Sequence, residues 1–300
     1  MMKENKDIKF AYFGTSDVSA KILDILKEKN LAPVLVVTSS DKPRGRGMEI
    51  KPSPVKVWAG KHNIKVLQPK KADKDFTDNL KKEFPREKPD VFVVVAYGVI
   101  LPKEILDMPK RGSINLHYSL LPRLRGPAPV EGALLEDINP TGVSTILMDE
   151  KMDHGPILMQ ESVEFKKWPL AKNEIFKNLN ETGGKLLVKT INAWVNGNLN
   201  KKEQKHDKAT YTKMIKKEDA LLDFGDNPEK NLRKIYAYEG WPRAYFFIKK
   251  NDKKIRVIVK EAAVEDGVLV LKKVLPEGKK EMSRREFDEW RSEISKKSDG

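Results

Sequence analysis

The chain has 300 residues, 39% hydrophobic and 34% charged, a composition typical of a globular protein of about two domains. It contains no cysteine, which excludes disulfides, thiolate zinc sites and cysteine nucleophiles. The formal net charge is +14 at pH 7, which either reflects a generally lysine-rich proteome or provides a field that attracts polyanions.

The distribution of charged and apolar residues narrows the class of protein further. Residues 201–300 contain 26 lysines and arginines against 19 acidic residues, a net charge of +7 and half of the total. The higher density of positive charge in the last third of the chain indicates a second domain that contacts nucleic acid. No stretch approaches the ~18 consecutive apolar residues of a membrane span, and no signal-peptide core follows the polar residues 1–9. A cytoplasmic location is therefore expected.

The first half of the chain alternates runs of β-branched and aromatic residues with stretches of helical periodicity. The predicted elements are, in chain order, strand 8–13, helix 18–29, strand 34–38, a helix from near Pro54, helix 75–84, strands 91–96 and 113–116, helix 129–135, strand 143–148 and helix 173–195. Ser16 or Asp17 is expected to cap the first helix. The continuous apolar run at 91–96 is typical of a strand buried on both faces of a parallel sheet. The alternation predicts an α/β domain, doubly wound around a mostly parallel sheet.

One segment, at about residues 39–53, interrupts this alternation. It is long, basic and rich in glycine and proline, and its cationic side chains include Lys42, Arg44, Arg46 and Lys51. Loops of this length inside compact domains are usually functional or disordered. The segment is therefore expected either to bind a partner or to be a solvated surface loop.

The last third of the chain changes character. Polar residues 199–208 predict a linker, which separates domain 1–198 from domain 209–300. Short strand-like runs follow at 244–248, 255–260 and 268–274, with helical pieces near 227–237 and 283–291. Several short strands at close spacing predict a small, OB-like β-barrel.

The densest chemical signal is Asn115-Leu116-His117, followed by Ser119-Leu120-Leu121-Pro122 and Arg125-Gly126-Pro127. Asn115 and His117 are two residues apart on a predicted strand, so their side chains point to one face. They lie at the strand end where open α/β sheets bind ligands. A carboxamide can stabilise a developing oxyanion and an imidazole can move a proton, a combination that suits acyl-type transfer. The alternative is a structural histidine.

A second polar run, residues 149–156, follows the strand at 143–148. An aspartate from this loop near His117 could orient the imidazole and raise its basicity, although Asp-x-Gly is also ordinary turn chemistry. A dinucleotide site is disfavoured, because the first strand-to-helix turn offers only Gly14 and lacks a G-x-G-x-x-G pattern. Four histidines leave little material for a metal site, and none is expected.

The run from Asn115 to Pro122, with Asp153-x-Gly155 downstream, resembles the signature of the folate-dependent formyltransferases. The resemblance implies a Rossmann-like domain and a metal-independent transfer of a formyl group. It implies that Asn115 and His117 hold the formyl oxygen, and that Asp153 orients His117 and assists proton movement.

The same resemblance implies where the donor, 10-formyltetrahydrofolate, binds. One part of its site is Ser119, Leu120, Leu121 and Pro122. The other is the segment 94–98, which resembles the loop around the pterin, where backbone polar groups and apolar walls hold the ring; its candidate residues are Ala96, Tyr97 and Gly98.

Within this superfamily the chain is most similar to the methionyl-tRNA formyltransferase branch, over nearly its whole length. The segment Asp41-Lys42-Pro43-x-Gly45-Arg46-Gly47 resembles the basic loop with which that branch engages the acceptor stem. This implies that Lys42, Arg44, Arg46 and Lys51 contact tRNA, and that the C-terminal barrel does so as well. The implied acceptor is methionyl initiator tRNA, the implied role is translation initiation, and the family suggests a monomer.

Two alternatives remain at this point. A formyltransferase acting on an amino sugar nucleotide or on glycinamide ribonucleotide would use the same Asn115, His117 and Asp153, but would not require the basic loop or barrel. An RNA-binding protein with a catalytically silent α/β domain would bind tRNA without folate.

Overall fold

A computed structural model describes residues 2–44, 49–250 and 253–296. The described part of the chain forms two compact units. The first comprises residues within 1–129, 140–164 and 176–212, and the second comprises residues within 130–139, 165–175 and 213–300. Residues 199–208, the predicted linker, group with the first unit. The predicted domain boundaries remain a prediction.

The elements of the first two thirds of the chain follow the predicted alternation. They are β1 (Phe10–Gly14), α1 (Asp17–Glu28), β2 (Leu35–Val37), β3 (Lys42–Arg44), β4 (Glu49–Lys51), α2 (Pro54–Lys61), β5 (Lys65–Leu67), α3 (Lys74–Lys82), β6 (Val91–Val95), α4 (Lys103–Leu106), β7 (Ser113–His117), α5 (Pro129–Leu135), β8 (Thr141–Leu147), β9 (Ile157–Val163) and α6 (Lys172–Val195). Side-chain caps begin three of the helices, because Ser16, Ser53 and Asp73 each accept a hydrogen bond from the third residue after them.

A seven-stranded sheet in the order β5-β2-β1-β6-β7-β8-β9 organises the described part of the first unit. The strands from β5 to β7 pair in parallel, whereas β8 is antiparallel to β7 and β9 is antiparallel to β8. The mostly parallel sheet is thus confirmed. The sequence pattern did not reveal β9, because several of its residues are exposed and its apolar run is short.

Burial explains why the central strands are apolar throughout. Every residue of β1 and β6 is buried. Alternate residues of these strands, such as Phe13 and Phe92, pack in one cluster with Phe76 and Leu80 of α3 and with residues of α4. Both faces of the sheet are therefore covered, as expected for parallel strands.

Within the predicted basic loop, β3 and β4 form a two-stranded antiparallel sheet, here called the basic hairpin. Its register pairs Lys42 with Lys51 and Pro43 with Ile50. Arg46 lies outside the described residues.

The last third of the chain contains α7 (Pro228–Ala237), β10 (Tyr245–Lys250), β11 (Lys253–Glu265), β12 (Val268–Pro276), β13 (Met282–Ser283) and α8 (Arg284–Lys296). Leu232 and Ile235 of α7 pack with Val257, Val274 and Phe287 in the core of this unit. The small antiparallel β domain is confirmed. Its closure into a barrel stays a prediction, because the described strands pair in a row, β10-β11-β12-β13. No helix within the described ranges is long and apolar enough to cross a bilayer.

Candidate active site

Strand β7 carries the two side chains that the sequence singles out. Its residues Asn115 and His117 share a face, and Asn115 pairs with Val94 of the neighbouring β6. The Asn115 amide nitrogen donates a hydrogen bond to the main-chain carbonyl of Val94, 3.2 Å away. The Oδ1 atom is buried and has no hydrogen-bond partner among the described residues. One N–H and the carbonyl oxygen of this carboxamide are therefore free to bind a ligand.

His117 is only 6% exposed and lies between two protein groups. Its Nε2 is 2.9 Å from the main-chain oxygen of Leu124, and its Nδ1 is 3.5 Å from Oδ1 of Asp153. Because a carbonyl oxygen only accepts, Nε2 must donate this bond, and in the neutral imidazole Nδ1 then carries the lone pair. The basic atom of His117 thus faces the carboxylate of Asp153.

Asp153 is held by its main chain and by its carboxylate. The Oδ2 atom accepts a hydrogen bond of 2.7 Å from the main-chain N–H of Gly126. The backbone of Asp153 is in the left-handed region, with φ of 51°, a conformation that Asp and Asn adopt more readily than most residues. The hydrogen bond from Gly126 and the backbone conformation therefore hold the carboxylate of Asp153 beside the imidazole of His117.

The path of the Asp153 loop is not that of a loop after a parallel strand. Because β8 is antiparallel to β7, its end at Leu147 lies beside Ile114, while His117 is paired with Ser144. The loop must turn back to reach His117. Gly155 makes the tight turn possible, since a Cβ there would lie 1.9 Å from the main-chain oxygen of Leu147. The Asp153-x-Gly155 motif therefore has a steric basis.

The segment Ser119-Leu120-Leu121-Pro122 follows His117 directly and forms a compact turn. Ser119 donates its hydroxyl hydrogen to the carbonyl of Arg123 at 2.6 Å, and the Leu121–Pro122 peptide bond is cis. Leu121 is buried against Ile146 and Ile157, whereas Leu120 and Pro122 are half-buried. Leu120 and Pro122 are thus the side chains of this segment that remain open to a ligand.

The loop at residues 96–98 follows β6. Ala96 and Gly98 are exposed and have positive φ angles of 47° and 72°. The ring of Tyr97 instead packs edge-on against Phe13, and burial raises the pKa of its hydroxyl to about 12. The loop therefore presents main-chain groups and the exposed apolar side chain of Ile100, while Tyr97 anchors it.

The basic residues predicted to contact tRNA have different surroundings. Lys42 is exposed on β3, and Arg44 ends the same strand. Lys51 lies 3.2 Å from Glu49 across an exposed ion pair. Arg46 falls outside the described residues, and these four positions remain predictions.

Two buried polar residues beside the site were not recognised from the sequence. Arg125 was noted only as part of a motif, without a role for its side chain, and Gln204 was not singled out at all. Arg125 donates to Gln204, and Gln204 donates to the main chain of Asp153. No signal in the sequence distinguishes Gln204 from the rest of its polar segment. Among the described residues, no cluster of three or more His, Asp or Glu side chains could hold a metal ion.

Comparison with known families places the chain clearly. Residues 6–191 match the family model "Formyl transferase", and residues 214–265 match "Formyl transferase, C-terminal domain". A methionyl-tRNA formyltransferase of Sulfurihydrogenibium sp. is 39% identical over 84% of this chain and 79% of its own length. That of Thermodesulfovibrio yellowstonii is 34% identical over 92% of this chain and 94% of its own.

Among solved structures, an N-formyltransferase from Helicobacter canadensis in complex with folinic acid and dTDP-3-aminofucose superimposes with a TM-score of 0.61. The match covers 86% of this chain and 89% of the other, at 18% identity. This likeness shows the shared fold.

Proposed function

This chain belongs to the methionyl-tRNA formyltransferase family, and from that premise we propose that its donor is 10-formyltetrahydrofolate and its acceptor the free amino group of methionyl initiator tRNA. Formylation of methionyl-tRNA is the activity of the family. The structural relative that binds folinic acid, a formylated reduced folate, supports the choice of donor.

The observation that carries the proposal is the convergence of an amide, an imidazole and a carboxylate at one end of β7. Asn115 and His117 share a strand face, and Asp153 lies 3.5 Å from His117. The carboxamide has a buried oxygen without a partner among the described residues. Buried polar groups are nearly always hydrogen-bonded, so an unpaired one at a strand end supports a bound ligand.

Asn115 is proposed to stabilise the negative charge that develops on the formyl oxygen. One of its amide hydrogens is held by Val94, which sets the plane of the carboxamide. The second hydrogen can be donated to the formyl oxygen. Removal of a comparable donor from other enzymes lowers kcat by about 10²–10³.

His117 and Asp153 are proposed to carry out the proton transfers of the reaction. As the amine attacks the formyl carbon, a C–N bond forms, the amine loses a proton, and the bond to N10 of the folate breaks as N10 gains one. The lone pair on Nδ1 of His117 can take the proton through Asp153 or a water molecule, and the imidazolium is then stabilised by Asp153 and by the Leu124 carbonyl.

Direct contact of His117 with the formyl oxygen requires one more step in this geometry. Both ring nitrogens already face protein groups, Leu124 at Nε2 and Asp153 at Nδ1. The Leu124 bond would have to be exchanged for a bond to substrate. The proton-transfer role needs no such exchange and is therefore the role that we assign first.

The folate is proposed to lie between the loop at 96–98 and the turn at 119–122. Ala96 and Gly98 expose main-chain groups, and Ile100 is 77% exposed, which supplies an apolar wall beside them. Sites for small molecules commonly combine apolar walls with a few polar groups. Holding donor and acceptor in line can lower the barrier by about 7–11 kcal/mol in the best cases.

The basic hairpin β3–β4 is proposed to engage the acceptor stem. Lys42, Arg44, Arg46 and Lys51 would neutralise phosphates there. Each phosphate contact steepens the fall of log affinity with log salt by about 0.7–0.9.

The test is a formylation assay with 10-formyltetrahydrofolate and charged initiator tRNA, with charged elongator methionyl-tRNA as the comparison. Rapid formylation of the initiator and slow formylation of the elongator are expected. Equal rates would refute the initiator assignment. A parallel titration of the folate tests the donor, because an RNA-binding protein with a silent α/β domain would not bind it.

A further inference from the structure

The chain segment 202–212, here called the anchor segment, runs along both loops of the candidate active site. Lys202 exchanges two main-chain hydrogen bonds of 2.8 Å with Ile157, just after the Asp153 loop. Further along, Thr212 donates its N–H to the carbonyl of Arg125 at 2.7 Å, and the Arg125 N–H donates to Thr210 at 2.8 Å. The anchor segment is thus an integral part of the first unit and ties two separate loops together.

Arg125 lies where these two loops meet. It is 1% exposed, and its guanidinium donates to Oε1 of Gln204 at 2.7 and 3.2 Å. It also lies 2.9 Å from Nδ1 of His206 and 3.3 Å from the hydroxyl of Tyr211. Within the described part of the chain, none of these side-chain partners is a carboxylate. Burial of an arginine without a carboxylate is costly, so a purely structural need would be met more cheaply by an apolar residue.

Gln204 joins Arg125 to the Asp153 loop. Its amide nitrogen donates to the carbonyl of Asp153 at 2.9 Å and to that of Gly155 at 2.7 Å. Because a guanidinium cannot accept a hydrogen bond, Oε1 must face Arg125 and the NH2 group must face the loop. The adjacent charge also polarises the amide and strengthens its two donated bonds.

The neighbours of Arg125 in the chain touch the catalytic pair. The carbonyl of Leu124 accepts from His117, and the N–H of Gly126 donates to the carboxylate of Asp153. The segment 124–126 thus holds the imidazole and the carboxylate, and through Gln204 it holds the main chain of Asp153 as well. Since β8 runs antiparallel to β7, strand direction alone does not bring Asp153 to His117.

We propose that Arg125 and Gln204 are positioning residues for formyl transfer: the guanidinium orients the Gln204 amide, and that amide holds Asp153 against His117. The inference rests on the proposed catalytic role of Asp153. A misplacement of about 1 Å can cost 10²-fold in rate, so loss of this support lowers kcat by about 10- to 100-fold. The KM values for the folate and for tRNA stay near wild type, because both side chains are buried and neither is proposed to bind a substrate.

The informative substitution is Gln204→Glu. It preserves the shape and keeps an acceptor for Arg125, but it replaces both donors to the Asp153 loop with an oxygen that repels the carbonyls. Arg125→Lys is the second variant, since it keeps the charge and removes the planar fork that orients Gln204. If Gln204→Glu does not fold, as judged by circular dichroism, Arg125→Lys is used in the same experiment.

Each variant is made alone and together with Asp153→Asn, and kcat, both KM values and the melting temperature are measured. Gln204→Glu is expected to lower kcat in the presence of Asp153. It should have no further effect in Asp153→Asn, where a neutral amide has replaced the carboxylate that Gln204 positions. A role in stability alone would lower the melting temperature and change kcat little, or lower kcat equally in both backgrounds. Either of those results overturns the proposal.

A matched control is Asn196→Leu. Asn196 is a half-buried amide, bonded to the main-chain N–H and carbonyl of Lys3 at 2.7 and 3.0 Å. It is expected to lower the melting temperature with kcat unchanged.

If Asp153→Asn turns over normally, the proposed catalytic role and the positioning role both fail. If Asp153→Asn is impaired while Gln204→Glu and Arg125→Lys are normal, the positioning role alone fails.

Discussion

Oδ1 of Asp153 lies 3.5 Å from Nδ1 of His117, on the side of the ring opposite the bond to Leu124. A lone pair and a carboxylate therefore face each other across a gap that a proton can close. With the proton in place, both ring nitrogens of His117 donate to oxygen. This arrangement is the one that the proposed proton-transfer role of His117 requires, and it makes the two side chains depend on each other.

Substitution at either position should slow turnover strongly and leave the fold intact. Asp153→Asn and His117→Ala are each expected to lower kcat by about 10²–10⁴, as for the loss of other acid–base groups. Asparagine is the better replacement for Asp153, because it tolerates the left-handed backbone. Initial formylation rates and thermal unfolding of both variants provide the measurement. Near-normal turnover in both variants would contradict the assigned roles.

Gly155→Ala should disturb both stability and activity. The new Cβ would overlap the main-chain oxygen of Leu147, so the Asp153 loop must move. A loss of about 1–3 kcal/mol in the free energy of unfolding is expected, with a reduced kcat because Asp153 is displaced.

Gly60→Ala, near the end of helix α2, is the control for this substitution, because apart from its chain neighbours and the backbone of its own helix no atom of the described residues lies within 4 Å of the added Cβ. It should stabilise by about 0.5 kcal/mol, since alanine is the better helix former. Urea unfolding measures the free energy of unfolding of both variants. Wild-type stability and turnover of Gly155→Ala would show that the loop has more room than its geometry indicates.

Lys42→Ala should weaken tRNA binding in a salt-dependent way. Lys42 is exposed on the basic hairpin, whereas Lys51 is already paired with Glu49. The slope of log affinity against log salt is expected to become shallower by about 0.7–0.9, which corresponds to one lost phosphate contact. Filter binding or fluorescence titration over a range of salt concentrations measures it.

Two comparisons make the Lys42 result specific. Lys21→Ala removes an exposed lysine from α1 and should leave the slope unchanged. A small amine acceptor should be formylated equally well by wild type and Lys42→Ala. An equal loss of rate with tRNA and with the small acceptor would argue against a tRNA-specific contact.

Tyr97→Phe should make the protein more stable, most clearly at alkaline pH. The Tyr97 hydroxyl is buried without a partner among the described residues, and its removal should add about 1 kcal/mol to the free energy of unfolding at neutral pH. Burial raises the pKa of Tyr97 to about 12, whereas an unfolded tyrosine ionises near pH ~10. Ionisation of Tyr97 therefore leaves the stability of the wild type unchanged below about pH 10, and it lowers that stability as the pH rises from there toward the folded pKa, because the unfolded state ionises first.

The measurement is urea unfolding of both proteins at about pH 7 and about pH 11, because Tyr97→Phe removes one of the groups that titrate there. The stability gained by the variant should be larger at the higher pH. Tyr118→Phe is the contrast, because the Tyr118 hydroxyl donates to Asn180 at 2.7 Å, and its loss should destabilise by about 1 kcal/mol. A gain that is the same at both pH values would contradict the assignment of the raised pKa to Tyr97.

Local pattern predicted much of the secondary structure for a physical reason. Helix Pro129–Leu135 occurs where it was predicted, and strand Val91–Val95 coincides with the continuous apolar run. Strand Ile157–Val163 escaped detection, since it lies at the edge of the sheet and several of its side chains face solvent. The antiparallel direction of β8 could not be predicted either, because the residues of a buried strand look the same in both directions.

The sequence by itself determined that Asn115 and His117 lie on one face of their strand, because residues two apart on a strand share a face by covalent geometry. It also carried the motif that identifies the family. The family resemblance implied that Asp153 orients His117, but only the tertiary structure showed the distance of 3.5 Å between them. The tertiary structure alone also placed Gln204, within a polar segment, beside Arg125 and the Asp153 loop. Contacts of this kind join residues from separate loops, so they depend on how the whole chain folds back on itself and leave no periodic trace in any one segment.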